Sequence, residues 1–305
     1  GVGAGIEVGV YGAAVGADDD QPDGQIAAAT VSKIQELGDK PWFIGCGFMK
    51  PHDPFIAPKK YFDLYPEDSL KIWHDPVDMD VVGKQSVGFG AYGEAFGKFT
   101  EKEWRELFRA YCACTTFMDA QLGRVLDVLD QKQLWDKTLV IFVGDHGYHT
   151  GERQWWNKNT LFERSCHAPF IVAAPGMAGG KRSKSLVEFV DLYPTITDFC
   201  GLKMPHTPAG VSLRSVLQDP TASIKDAAFT LVSRGPDLFG QSVRTDRWRF
   251  TLWSDGHSEL YDHDADPEEQ HNVAKQNESV IAELTAKLRA LPPIKPSPTL
   301  RPPSQ

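Results

Sequence analysis

The chain lacks any run of roughly 18 apolar residues, so nothing in its 305 residues reads as a membrane-spanning helix. Its opening, Gly1-Val2-Gly3-Ala4-Gly5, has neither the basic start nor the apolar centre of a signal peptide. A surplus of positive charge is also missing. With 32 Lys and Arg against 41 Asp and Glu, the net charge is −9, which argues against nucleic-acid binding through a basic face. An anionic ligand would therefore have to be held by local cations. Cysteine is scarce and odd in number: Cys46, Cys112, Cys114, Cys166 and Cys200. No Cys-x-x-Cys pair occurs, so neither a zinc ribbon nor a disulfide framework is signalled, and the apolar settings of Cys46, Cys112 and Cys114 mark them as packing residues. There is no internal repeat. What remains, 41% hydrophobic and 24% charged residues, is enough for one large domain, or a domain with a smaller one beside it.

The pattern of elements points to an α/β domain followed by a small antiparallel subdomain. Residues 1–24 are rich in Gly and Ala, then acidic at Asp18-Asp19-Asp20, and read as loop. Ile26 to Leu37 has helical spacing. Residues 42–48 form a nearly continuous apolar run that reads as a strand buried on both faces. The prolines of Lys50-Pro51-His52-Asp53-Pro54-Phe55 force a non-helical loop directly after it, where α/β folds place ligands. Residues 66–100 look like a long insertion. Thr100 with Glu103 matches a capping box, opening a long helix to about Asp130. Residues 138–143 and 170–174 read as strands, and 190–200 as a helix. From about residue 215, short alternating runs at 229–232, 241–244, 248–252 and 259–261 predict an antiparallel sheet, closed by a helix over 279–291 and a proline-rich tail. The division that follows is 1–215, 216–291 and 292–305.

The residues with chemistry cluster after the 138–143 run. Gly144-Asp145-His146-Gly147 places a carboxylate and an imidazole on a strand end between glycines, a turn that suits a metal site and equally suits a helix cap. Lys158 lies thirteen positions beyond Asp145, next to Trp155-Trp156-Asn157, whose rings can shield its charge and strengthen its pull on an anion. Tyr148 and His149 add polar groups to the same loop.

Asp145-His146-Gly147-Tyr148-His149-Thr150-Gly151-Glu152, then Trp156-Asn157-Lys158 and Leu161-Phe162-Glu163, resembles the second signature block of the sulfatase family, in its iduronate-2-sulfatase-like version. Lys50-Pro51-His52-Asp53-Pro54-Phe55 is similar to that branch's Lys-Pro-His-x-Pro-Phe loop. His167-Ala168-Pro169-Phe170, Asp191-Leu192-Tyr193-Pro194-Thr195, Val243 to Arg249, and Glu259-Leu260-Tyr261-Asp262 with Asp266-Pro267 and Asn272 follow in family order. The resemblance implies an alkaline-phosphatase-like fold: a mixed, mostly parallel sheet flanked by helices, with a small C-terminal antiparallel α+β subdomain. It implies that Asp145 and His146 complete a calcium site, with magnesium as the alternative, Asp145 being the firmer ligand because calcium prefers oxygen. It implies that Lys158 and His52 hold the sulfate, His52 donating to the leaving oxygen and Lys158 stabilising charge on the sulfuryl oxygens. His149 and Trp156 are the candidates for contact with a sugar. The implied partner is a sulfated small molecule or carbohydrate, and the implied location is outside the cytoplasm (periplasmic, extracellular or lysosomal).

The family nucleophile is a formylglycine made from cysteine in Cys-x-Pro/Ala-x-Arg, and none of the five cysteines stands in that pattern. Only 49 residues precede Lys50, and Asp18-Asp19-Asp20 does not follow an apolar strand, so it does not read as the family's metal-binding Asp pair. The expectation is a chain cut short at its N-terminus that folds poorly alone and hydrolyses nothing; sulfate-ester turnover by the purified chain would overturn it. Two other readings stand beside the sulfuric ester hydrolase: a phosphate or phosphonate ester hydrolase of the same superfamily, and a non-catalytic anion- or glycan-binding relative.

Overall fold

The computed structural model describes residues 11–38, 40–66, 69–88 and 98–294, which fall into two compact units. One comprises Gly1–His74, Gly90–Thr138 and Thr150–Trp156, the other Asp75–Phe89, Leu139–His149 and Asn157–Gln305.

In the first unit, β1 (Tyr11–Ala14) precedes α1 (Pro22–Glu36), and β2 (Phe55–Pro58) pairs with β1 in parallel from Tyr11↔Phe55 to Ala14↔Pro58. The expected loop over 1–24 is thus corrected: it contains β1, whose Tyr-Gly-Ala-Ala sequence has little strand propensity and takes its ladder from β2. Helix α1 starts on Pro22, where the missing amide costs nothing. Helix α2 (Glu101–Gln131) opens with the capping box the sequence predicts: Glu103 N donates to Thr100 Oγ1, and Thr100 N donates to Glu103 Oε2 at 2.7 Å. Leu107, Ala110, Cys114, Phe117, Gln121 and Val125 recur every three or four residues and are all buried, forming the stripe that α2 turns inward. Burial pushes the Cys114 thiol up to about 12, as expected of a packing cysteine. The predicted strand over 42–48 is not formed. No ladder reaches it among the described residues, burial alternates residue by residue, and Phe43 is 80% exposed. Apolar sequence makes a strand only where a neighbour supplies the matching N–H and C=O groups.

In the second unit, β3 (Val140–Val143) runs antiparallel to β4 (Phe170–Ala173), with α3 (Glu163–Cys166) between them in sequence. Val143 pairs with Phe170, so the residues after β3 and those before β4 share one sheet end. Helix α4 (Leu192–Phe199) follows a single turn at Phe189–Asp191. Strands β5 (Ala228–Ser233), β6 (Phe239–Arg244), β7 (Trp248–Trp253) and β8 (Ser258–Asp262) form an antiparallel meander in chain order, each within two residues of its sequence expectation. Helix α5 (Glu278–Arg289) sets Leu284 and Leu288 on Val243, Phe250 and Leu260. Each of these buried side chains contributes about 1.5–3 kcal/mol.

Part of the expected 66–100 insertion belongs to this sheet. Asp80 accepts from Asn272 N and donates its own amide to Gln270 O, and Ser86 Oγ donates to buried Glu259. The stretch 80–86 is therefore strapped to the C-terminal sheet; residues 89–97 lie outside the described residues.

Candidate functional site

The turn after β3 is shaped by two close approaches. A side chain at Gly147 would meet Arg164 O at 2.0 Å, so only glycine fits, and Gly147 N donates to Ser165 O at 2.9 Å. Gly144 N donates to Pro169 O at 2.9 Å, across the shared sheet end. Between these two glycines Asp145 is 89% exposed and His146 is about one-third exposed. His146 Nδ1 lies 2.8 Å from Gly147 O, and a carbonyl only accepts, so Nδ1 carries the hydrogen. The neutral ring then offers its Nε2 lone pair, 3.5 Å from Asp145 Oδ2. Two ligand atoms thus stand side by side at an open turn, a donor set that fits a divalent cation.

Lys158 is half-buried in the same unit, with its amide on Asn157 Oδ1. Asn159, next to it, takes a left-handed backbone at φ 64°, which Asn tolerates better than most residues. His149 is not at the surface: it is 1% exposed, its Nε2 is 2.9 Å from Thr160 Oγ1, and its ring meets Phe162 edge-on. Trp156, in the first unit, is likewise buried, stacked on Trp104 at 4.7 Å with Phe108 at its edge. The expectation that these two touch a sugar is corrected for both. An aromatic beside a lysine in sequence need not face the same side, and here apolar partners claim the rings.

His52 stands in the first unit, half-exposed, on a loop tied to a carboxylate the sequence reading missed. Asp23 is 1% exposed and accepts from Met49 N and Lys50 N, both at 2.9 Å. Lys50 Nζ donates to His52 O and Pro54 O, closing the loop around its own ammonium. His52 Nδ1 faces Asp53 O at 2.7 Å and Asp53 Oδ1 at 2.9 Å. Both are acceptors, so Nδ1 carries the hydrogen and Nε2 is left for a ligand. The signal for Asp23 was present but faint: an aspartate in the first turn of a helix, beside a proline, usually reads as a cap. The acidic Asp18-Asp19-Asp20 stretch does follow a strand, β1, but its carboxylates are engaged within the unit. Asp18 accepts from Tyr61 and Gln121 and pairs with Lys60, while Asp19 pairs with Arg124.

A second cluster, also missed, lies between α3 and the C-terminal sheet. Arg249 is buried and bridges Glu163 and Glu269; Arg244 reaches Glu163 and donates to His263 Nδ1, and His263 Nε2 donates to Glu269 at 2.9 Å. Burial alone would raise the Glu163 carboxyl, but His167, Arg249 and Arg244 hold it far below the usual carboxylate range. Glu163, His263 and Glu269 bring ligand atoms within 4.8 Å of one another. Two guanidinium groups already neutralise those carboxylates, so the cluster is an ion-pair network and not a place for a further cation.

Residues 10–202 match the family model described as Sulfatase, and residues 151–292 match that described as N-sulphoglucosamine sulphohydrolase, C-terminal. A sulfatase of Formosa agariphila is 31% identical over 268 residues, covering 87% of this chain and 52% of that protein. Human iduronate 2-sulfatase is 26% identical over 339 residues, covering 83% of this chain and 62% of its own length. The chain spans about half the length of the curated relatives it matches. Among solved structures, the phosphonate monoester hydrolase of Silicibacter pomeroyi superposes with a TM-score of 0.81 at 22% identity, covering 92% of this chain and 61% of that one. At that identity the likeness establishes the fold, the α/β alkaline-phosphatase-like architecture with its C-terminal antiparallel sheet.

Proposed function

Since the chain belongs to the sulfatase family, we propose that this protein is a sulfuric ester hydrolase acting on sulfated carbohydrates through a divalent metal. The observation that carries the reading is the Gly-flanked turn on which Asp145 Oδ2 and His146 Nε2 lie 3.5 Å apart at a strand end. Asp145, with His146, holds the cation. Calcium fits an oxygen donor best, with magnesium as the alternative, and these two residues furnish a minority of the six to eight ligands calcium takes. When bound, such a cation neutralises charge on the sulfuryl oxygens.

The chain's own residues do the rest. Lys158 binds the sulfate and stabilises the charge that grows on its oxygens. His52, with Nδ1–H held by Asp53, turns Nε2 to the leaving oxygen and in its doubly protonated, imidazolium form gives it the Nε2 proton, becoming neutral. None of the five cysteines stands in Cys-x-Pro/Ala-x-Arg, so these residues supply no formylglycine and no step is assigned to one. In this reading residues 1–215 carry the ligand-facing loops and 216–291 the supporting subdomain. A sulfated sugar is the favoured substrate class because the iduronate 2-sulfatase relative is named for one. The family resemblance favours an exported location, periplasmic, extracellular or lysosomal. None of the described helices is long and apolar enough to cross a membrane.

The second reading, a phosphonate or phosphate ester hydrolase, is favoured by the Silicibacter pomeroyi structure and shares the strand-end Asp-His turn. Calorimetric titration of the chain with calcium, then with inorganic sulfate, phosphate and methylphosphonate, separates them. Sulfate binding that needs calcium, Asp145 and Lys158 is the expected result. A preference for phosphonate would turn the assignment to the second reading. Anion binding indifferent to Asp145→Asn and Lys158→Ala would sink both.

A further inference from the structure

We propose that Thr160, His149 and Ser165 are positioning residues for the ligand-facing turn, fixing the chain segment of Asp145 and His146 relative to that of Lys158. In its consequence for sulfate, the proposal rests on the reading above.

The three side chains are all buried and joined in a row. Thr160 Oγ1 donates to Ser165 Oγ at 2.8 Å, which commits its hydrogen. Its oxygen is then the acceptor for His149 Nε2, 2.9 Å away, so His149 carries its hydrogen on Nε2. Both ends of the row grip backbone next to a proposed ligand residue. Ser165 O accepts from Gly147 N, one position past His146, and His149 N donates to Asn157 O, one position before Lys158, each at 2.9 Å. A continuous row of hydrogen bonds therefore runs from Gly147 through Ser165, Thr160 and His149 to Asn157. Filling this volume needs no hydroxyl, since valine has nearly the shape of threonine. What the hydroxyl adds is direction: it accepts from one named atom and donates to another, and so sets where two loop segments stand. The exposed Asp145 is held by its immediate neighbour, accepting from His146 N at 3.1 Å, so its placement follows from the backbone this row of hydrogen bonds fixes.

The test is amide hydrogen exchange on the full chain, comparing Thr160→Val with Thr160→Ser, and His149→Phe with His149→Gln. Valine removes both bonds of the hydroxyl; serine restores them. Phenylalanine keeps a ring against Phe162 without the donor; glutamine returns a donor near Nε2. Losing both bonds of the hydroxyl should speed local exchange roughly tenfold or more, and losing the one His149 bond several-fold. The expected result is that rise at Gly147 and His149 in Thr160→Val and His149→Phe, with Val243 and Phe250 in the C-terminal sheet unchanged. Thr160→Ser and His149→Gln should return to the wild-type rates. Sulfate affinity should fall about tenfold in Thr160→Val with Lys158 intact, following the local exchange. Unchanged exchange at Gly147 and His149 overturns the proposal. So does equal acceleration in β6 and β7, which would make Thr160 an ordinary core residue. Should Thr160→Val fail to fold, the His149 pair decides by the same readout. Should the wild type bind no sulfate, the functional reading fails while the exchange rates still decide the positioning role.

Discussion

Arg249 shows how much one side chain can hold. Its guanidinium is buried between Glu163 and Glu269, and it is the cation shared by a carboxylate on α3 and one beyond β8. Methionine at this position would fill the space but leave buried Glu269 and half-buried Glu163 without the cation they share. Removing one partner of a buried pair costs about 3–5 kcal/mol, so Arg249→Met should lower the urea unfolding free energy by that order. A loss under about 1 kcal/mol would mean the network does not hold α3 to the sheet. Gly147→Ala poses a different question. Its methyl group would sit 2.0 Å from Arg164 O, and backbone cannot step aside as a side chain can. Calcium binding should fall below detection in Gly147→Ala even where the chain stays folded by circular dichroism. Neither effect is visible from residue type alone: Arg249 reads as one more charge in a strand, and Gly147 as one of two glycines in a turn.

At the scale of elements, regular patterns were legible and dependent ones were not. Helix α2 declared itself through Thr100, Glu103 and an unbroken stripe, because a helix makes its hydrogen bonds within its own segment. Thr100→Ala should cost about 1 kcal/mol and raise exchange of the Glu103 amide, while leaving the amides of β6–β8 alone. The alternating runs of β5–β8 were legible because each strand finds its neighbour next in sequence. Residues 42–48 carry a stronger apolar signal than β1, yet β1 is the strand, since Phe55–Pro58 lies beside it and no ladder reaches 42–48 among the described residues. The site followed the same rule. The order of Asp145, His146 and Lys158 could be read from sequence. The burial of His149 and Trp156 could not, because it depends on Phe162, Thr160 and Trp104 arriving from elsewhere in the chain.

For the molecule as a whole, charge and exposed apolar surface set the behaviour in solution. Glu163 is held well below its ordinary range when folded, so its contribution to stability is present above the unfolded value of about 4.3 and is lost as pH falls below it. The hydrogen bond from His167 to Glu163 raises the imidazole, so that contribution is complete below about pH 6.5 and fades as pH rises through the raised folded value. Wild type should therefore lose unfolding free energy below about pH 4, while Glu163→Gln, already weaker at neutral pH, should show a shallower acid slope, the gap between the two narrowing as pH falls. Parallel curves across that range would reject the assignment. Phe43, 80% exposed, and Ile171, 61% exposed on β4, leave large apolar side chains open to water, a setting that favours association. Phe43→Ser with Ile171→Thr should raise the concentration at which the chain stays monomeric in light scattering.

The sequence by itself determined the local and the contiguous: α2, the C-terminal meander, and the order of the Lys-Pro-His loop and the Asp-His turn that carries the family assignment. These need only a few neighbouring residues, and their signals travel with the residues themselves. The tertiary structure decided which apolar run became a strand, which aromatics were spent on packing, and which polar residues (Asp23, Thr160, Ser165, Arg249) fix the loops. Those outcomes rest on partners 5 to more than 100 positions away, as with Glu163 and Glu269. Proximity of that kind is created by the fold and is not written at either position alone.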